Sequence, residues 1–145
     1  MKALIQRVTE ARVTVDDVTL GSIEQGLLVL VGVDPGDAAP NIDKMAHRLL
    51  NYRVFADADG RMNLNVQQVS GGLLLVPQFT LSADTRKGLR PSFTSAATPE
   101  QGLGVFNALV STVKQQYRQV ETGQFGANMQ VSLTNDGPVT FLLEH

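Results

Sequence analysis

The chain contains no cysteine. Disulfides, thiolate nucleophiles and sulfur-ligated metal sites are therefore all excluded. Only two histidines are present, His47 and the terminal His145, which argues against a multi-histidine metal centre. A Ser-His-Asp triad would have to recruit one of them, and neither lies in a suggestive context. No stretch reaches the roughly 18 consecutive apolar residues of a membrane-spanning helix. The opening residues, MKALIQRV, change polarity every one or two positions and lack the apolar region of a signal peptide. The expectation is a soluble cytoplasmic protein. Charge of either sign is scarce, with 12 basic against 14 acidic residues and a net charge of −2. That total gives no global attraction to nucleic acid or anionic membranes, although a local basic patch can steer a phosphate ligand regardless. The G-x-S-x-G elbow, the P-loop and the dinucleotide fingerprint are also missing.

What is present is a 145-residue chain with 43% hydrophobic residues, which is enough for one compact domain, residues 1–145, with a real core. Ala3 to Val8 reads as a strand, with Ala3, Ile5 and Arg7 facing opposite to Leu4, Gln6 and Val8. Arg12–Val15 and Val18–Leu20 suggest a hairpin around Asp16-Asp17. The run LLVLVGV, Leu27 to Val33, is nearly continuous in apolar residues and reads as a buried central strand. Ile42, Met45, Leu49 and Tyr52 recur at helical spacing, with Pro40 in the first turn and His47 off the stripe. A short strand is expected near Arg53–Ala56. Asp57–Gly60 has only the beginning of a calcium-loop pattern and reads as a hairpin turn.

A second strand-like run follows Gly71-Gly72: LLLVPQFTL, Leu73 to Leu81. Pro77 would remove a ladder hydrogen bond from a central strand. The break should mark an edge, a bulge, or the point where the strand gives way to a site. The clearest helix signal starts at Thr98, a cap residue followed by Pro99 and Gln101. Leu103, Phe106, Val110, Val113 and Tyr117 form its expected buried stripe. Alternating stretches return at Met129–Leu133 and Val139–Leu143. Two helices among many strands, without regular β-α-β alternation, indicate an α+β fold.

Two segments interrupt apolar strands with residues able to meet a ligand. In PQFTLSADTRKGLRPSF, Pro77 to Phe93, Gln78 and Thr80 would share one face of an extended strand, with Phe79 and Leu81 on the other. Pro77 could free nearby backbone groups from regular pairing. Arg86, Lys87 and Arg90 then read either as an ordinary solvated loop or as a phosphate-contacting patch. In NDGPVTF, Asn135 to Phe141, the Asn-Asp-Gly-Pro run reads as a turn, and Gly137 allows close approach of its backbone to a ligand.

The two segments together, with the opening QRV, resemble the bacterial D-aminoacyl-tRNA deacylases. The resemblance covers essentially the whole chain. It implies a β-barrel-like arrangement of mostly antiparallel and mixed strands with two main helices. It also implies a homodimer with sites at the subunit interface, and no cofactor or metal. The implied reaction cleaves the ester joining a D-amino acid to the terminal adenosine of tRNA, and accepts the achiral glycyl ester. Gly137 and Pro138 match the family's Gly-cisPro motif, which enters the partner's pocket and excludes L side chains. Gln78, Phe79 and Thr80 would line the reacting end, with backbone N–H groups near Phe79 and Thr80 stabilising the oxyanion. The 2′-hydroxyl of the terminal ribose would assist an attacking water. Arg7 would orient the Gly-Pro carbonyls, and Met129 would line the pocket, although spacing alone makes Met129 simply core. Arg86, Lys87 and Arg90 would contact the acceptor end of the tRNA. Many members carry serine where this chain has Pro77, so no role for that hydroxyl transfers.

Two other readings stay open on the sequence. One is a non-catalytic RNA-binding module for translation quality control. The other is a hydrolase of small D-amino-acid esters or amides with Thr80 as nucleophile.

Overall fold

The computed structural model describes residues 1–145. The strands are β1 (Lys2–Val15), β2 (Val18–Ile23), β3 (Gly26–Gly32), β4 (Phe55–Ala56), β5 (Met62–Leu64), β6 (Gly72–Pro77), β7 (Val120–Thr122) and β8 (Gln130–Glu144). Two α-helices accompany them, α1 (Ala39–Asn51) and α2 (Pro99–Gln116). The main sheet runs β2-β1-β3-β6-β7, with β8 pairing along the other edge of β1. The β3–β6 and β6–β7 pairs are parallel and the pairs of β1 are antiparallel. The result is a mixed, α+β arrangement in which the sheet curls nearly into a barrel, as expected.

The continuous apolar character of β3 reflects burial on both faces. Leu27, Val29 and Val31 join Ala3, Ile5, Leu73 and Leu75 beneath Met45, Leu49, Phe106 and Leu109 of the helices. Leu28, with Leu74, Val76, Val8 and Ile23, fills a second, smaller cluster on the opposite face. Strand β1 obeys the predicted alternation through Val8. Two pairing irregularities against β8 then let Ala11 and Val13 join Val8 in the smaller cluster.

The hairpin at Asp16-Asp17 is present, both residues having positive φ (48° and 63°), as tight hairpin turns require. Asp57 stabilises the β4–β5 turn by accepting from the Asp59 and Arg61 amides and from Asn63. His47 is exposed. In α2, Thr98 caps by accepting from the Gln101 amide, but the buried stripe differs from expectation. Gly102, Phe106, Leu109 and Val113 face inward, whereas Leu103 is exposed. The Phe125 ring packs where a side chain at Gly102 would stand, so the inner face includes Gly102 and Leu103 lies outside it. Neither helix is long and apolar enough to cross a membrane.

Candidate active site

Pro77 is the last residue of β6, paired in register with Val31. The Gln78 amide makes the final bond, donating to the Val31 carbonyl at 2.7 Å. The chain then leaves the sheet as a 3-10 turn, Phe79–Ser82. The extended strand expected through Leu81 therefore stops four residues early, and the alternating faces assigned to Gln78, Phe79, Thr80 and Leu81 do not exist. The proline does mark the point where strand gives way to loop. The first bond inside the turn runs from the Leu81 amide to the Gln78 carbonyl, 3.2 Å. The N–H groups of Phe79 and Thr80 precede it and so lack a partner within the turn. Gln78 and Thr80 are nevertheless brought together, the Gln78 side chain donating from Nε2 to the Thr80 hydroxyl. No basic side chain bonds to that hydroxyl.

The turn is pinned to the end of β3. Ser82, the buried polar residue of the core, has its hydroxyl 3.0 Å from the Val33 carbonyl and 2.8 Å from an Asp34 oxygen. Asp34 also receives Lys2 at 2.8 Å and lies 3.1 Å from the terminal amine. Burial pushes the Asp34 carboxyl up, but the bonds from Lys2, Ser82 and the terminal amine outweigh it and hold it below its ordinary value. Beneath the turn, Gly32 leaves no room for a side chain: an added Cβ would lie 2.9 Å from the Leu81 Cβ. Beside it, Phe79 stands exposed, its ring 5.1 Å from that of Phe93. An apolar cavity of about 240 Å³ opens here, walled by Pro77, Phe79, Val33, Ala97 and Phe125. Met129 is half-buried near the same strand end, its sulfur and Pro77 both flanking Gly123.

The second segment is built differently. Gly137 and Pro138 do not close a hairpin, since they lie inside the single long strand β8. The register with β1 jumps from Gln6–Thr140 to Val8–Asn135, so residues 136–139 leave the ladder opposite Arg7. Asn135 closes this excursion, accepting from the Val139 amide at 3.0 Å and donating to the Thr140 hydroxyl at 2.8 Å. The Gly137–Pro138 peptide is cis, and Gly137 has φ +133°. Both residues are exposed. Arg7 supports the excursion from below. Its Nε donates to the Asp136 carbonyl at 3.1 Å and its Nη1 to the Val54 carbonyl at 2.7 Å.

Arg7 and Gly137 are thus neighbours, as are Gln78, Phe79 and Thr80, but the two groups are apart. The row through Pro77 and Val31 reaches Ala3 and then Leu143, whereas the excursion faces Arg7. Four residues along and three strand spacings across amount to about 20 Å within one chain. In the loop beyond, Lys87 and Arg90 make no ion pair, while Arg86 is tied to Asp84 at 2.7 Å. The Arg86 guanidinium holds the Asp84 carboxyl far below the usual carboxylate range. Sequence patterns gave no sign of Gly32, Asp34 or Ser82, whose parts depend on contacts across the fold.

Comparison with known proteins agrees with this architecture. A D-aminoacyl-tRNA deacylase from Azotobacter vinelandii is 62% identical over 99% of both chains. One from Marinomonas sp. is 59% identical over 99% of this chain and 100% of its own. The solved structure of a c-Myc DNA Unwinding Element Binding Protein superposes with a TM-score of 0.95 at 39% identity, covering 100% of this chain and 99% of that one. A probable eukaryotic D-amino acid tRNA deacylase shares the fold alone, with a TM-score of 0.85 at 15% identity over 98% and 97% of the two chains. Residues 4–144, spanning both interrupted strands, match the family described as D-Tyr-tRNA(Tyr) deacylase. With that match and relatives near 60% identity over their full length, the chain belongs to this family.

Proposed function

We propose that this protein is a D-aminoacyl-tRNA deacylase, a carboxylic ester hydrolase acting in the cytoplasm through one domain, residues 1–145. The observation that carries the reading is the full-length identity to relatives bearing that name. Water attacks the ester carbonyl, the bond to the ribose oxygen breaks, and the released oxygen takes a proton. The 2′-hydroxyl of the terminal ribose assists. The N–H groups of Phe79 and Thr80, which have no partner within the turn, stabilise the developing oxyanion, and Gln78 helps fix the turn that presents them. The Thr80 hydroxyl lacks a base to activate it, so the chain supplies positioning and electrostatics in place of a nucleophile. No cofactor or metal enters this scheme. The apolar cavity beside Phe79 suits the terminal adenine.

Selectivity is assigned to Gly137 and Pro138. Their backbone fills the volume an L side chain would need, leaves a D side chain free, and cannot reject glycine. Arg7 steadies the excursion through the Asp136 carbonyl, and Met129, beside Gly123 and outside the wall of the apolar cavity, is assigned a supporting place. The separation of about 20 Å within one chain favours a homodimer in which each excursion enters its partner's site. Exposed Leu133, Phe141 and Leu142 on β8 favour the same arrangement. Lys87 and Arg90 are assigned to the acceptor end of the tRNA, with Arg86, tied to Asp84, bracing their loop.

The decisive assay compares D-, L- and glycyl-tRNA esters, each with an intact or 2′-deoxy terminal adenosine. Release of D-amino acid and glycine but not L, and loss of rate without the 2′-hydroxyl, is the expected pattern. Equal cleavage of D and L esters would remove the filter. Binding without release would leave a non-catalytic RNA-binding module. Thr80→Ala should keep appreciable activity. Its complete loss, together with cleavage of small esters lacking RNA, would point to a Thr80 nucleophile.

A further inference from the structure

We infer that the loop from Asp84 to Ser92 is a docking surface for the unpaired nucleotides preceding the substrate's terminal adenosine. Leu89 packs on a base, while Lys87 and Arg90 meet the phosphates. The inference rests on the deacylase reading and extends it from the reacting end to the strand leading there.

Leu89 is fully exposed, more so than any other large apolar side chain of the chain. It sits on a stapled platform. Asp84 and Ser92 exchange both backbone hydrogen bonds, at 2.8 and 3.1 Å. Arg86 folds back onto Asp84 through its amide, Nε and Nη2, at 3.0, 2.9 and 2.7 Å. Arg86 therefore spends its charge inside the loop, and the two cations left for a ligand are Lys87 and Arg90. Between them Gly88, with φ +71°, turns the chain and has nothing within 4 Å of where a side chain would begin.

The loop is also rooted at the site. It leaves from the turn ending at Ser82 and returns at Phe93, whose ring packs against Phe79. A strand whose last nucleotide lies at Phe79 begins at the root of this loop. Cations flanking an exposed apolar side chain fit single-stranded nucleic acid, which offers phosphates and unstacked base faces together.

The test compares Leu89→Ser and the Lys87→Gln/Arg90→Gln pair with wild type on D-aminoacyl-tRNA and on the corresponding D-aminoacyl-adenosine. Leu89→Ser should raise KM for the tRNA ester about fivefold, the scale of partly burying one aliphatic side chain, with kcat and all constants for the nucleoside ester unchanged. The double variant should lower the slope of log KM against log salt by about 1.4 on the tRNA substrate. Equal effects on both substrates, or none on the tRNA ester, overturn the inference. So does a shift of Leu89→Ser to monomer in sedimentation, which would assign the side chain to a second copy of the chain. If wild type cleaves neither substrate, the deacylase reading falls and this inference with it.

Discussion

Replacing Gly32 by alanine isolates what holds the Phe79–Ser82 turn, the proposed reacting end, in place. An added Cβ would meet the Leu81 Cβ at 2.9 Å, the Ser82 hydroxyl at 3.3 Å and the Gln78 carbonyl at 3.4 Å. All three belong to one short segment. Ordinary carbon contacts lie at about 3.5–4.0 Å, so the gap must open by about 0.6–1.1 Å. The Leu81 Cβ is fixed to its backbone and cannot rotate away, so the turn itself must shift. Overpacking of this kind costs about 1–3 kcal/mol, or a Tm lower by roughly 3–10 °C at this chain length. A displacement near 1 Å at reacting groups costs on the order of 100-fold in rate. The expected outcome is a folded protein with kcat/KM on D-aminoacyl-tRNA reduced about 100-fold. Gly71→Ala is the control. It crowds the Gln25 carbonyl, Gly26 and Val66 at 3.1 Å at the other end of β6, so it should lower Tm while sparing activity. A Gly32→Ala protein with the same Tm loss and kcat/KM within twofold of wild type would refute the reasoning.

Three further outcomes are expected. Arg7→Lys replaces a guanidinium reaching both Val54 and Asp136 with one ammonium that cannot span them. The ratio of kcat/KM for D over L esters should fall about tenfold, an energy near 1.4 kcal/mol and within the worth of a charged hydrogen bond. Ser82→Ala removes the hydroxyl shared by the Val33 carbonyl and Asp34 and should lower stability by about 1–2 kcal/mol in urea, with kcat reduced more than KM is raised. Asp34 is held below its ordinary pKa, so it contributes stability at pH values above the unfolded carboxylate's, about 3.9. That contribution disappears as pH falls through the lower folded value. Asp34→Asn should therefore flatten the acid side of the urea-midpoint profile below about pH 4, where the wild type declines.

The fold was legible wherever burial on a face imposes a period. β3 reads as a continuous apolar run because both its faces are covered. The inward set of α1, Ile42, Met45 and Leu49, follows the helical repeat. Legibility failed where one contact across the fold overrides local pattern. In α2 the Phe125 ring covers Gly102 and so fills a place on the inner face that the pattern gave to Leu103, which stays outside. LLLVPQFTL looked like one strand because its apolar residues continue past Pro77, yet the ladder ends at the bond from Gln78 to Val31. NDGPVTF carries real turn chemistry, but Asn135 uses its side chain to close an excursion within β8. The local preference was read correctly, and the partner strand decided what it builds.

The failures share a cause that bears on function. Triads and metal centres are built from reactive side chains, whereas this chain's unusual features are breaks in its backbone ladders. At Pro77 a proline ends a central strand, and the next amides emerge without partners inside the turn. At Gly137 a strand throws four residues out of register and an arginine holds the preceding carbonyl. Both breaks carry fixed backbone polar groups toward solvent, which can bind or exclude a substrate without a titrating group. The separation of about 20 Å keeps the two breaks apart within one chain. If, as proposed, each excursion serves a partner's site, dilution below the dimer's dissociation constant should erode discrimination between D and L esters together with turnover. Chiral selectivity unchanged in a sedimentation-verified monomer would show that one chain suffices.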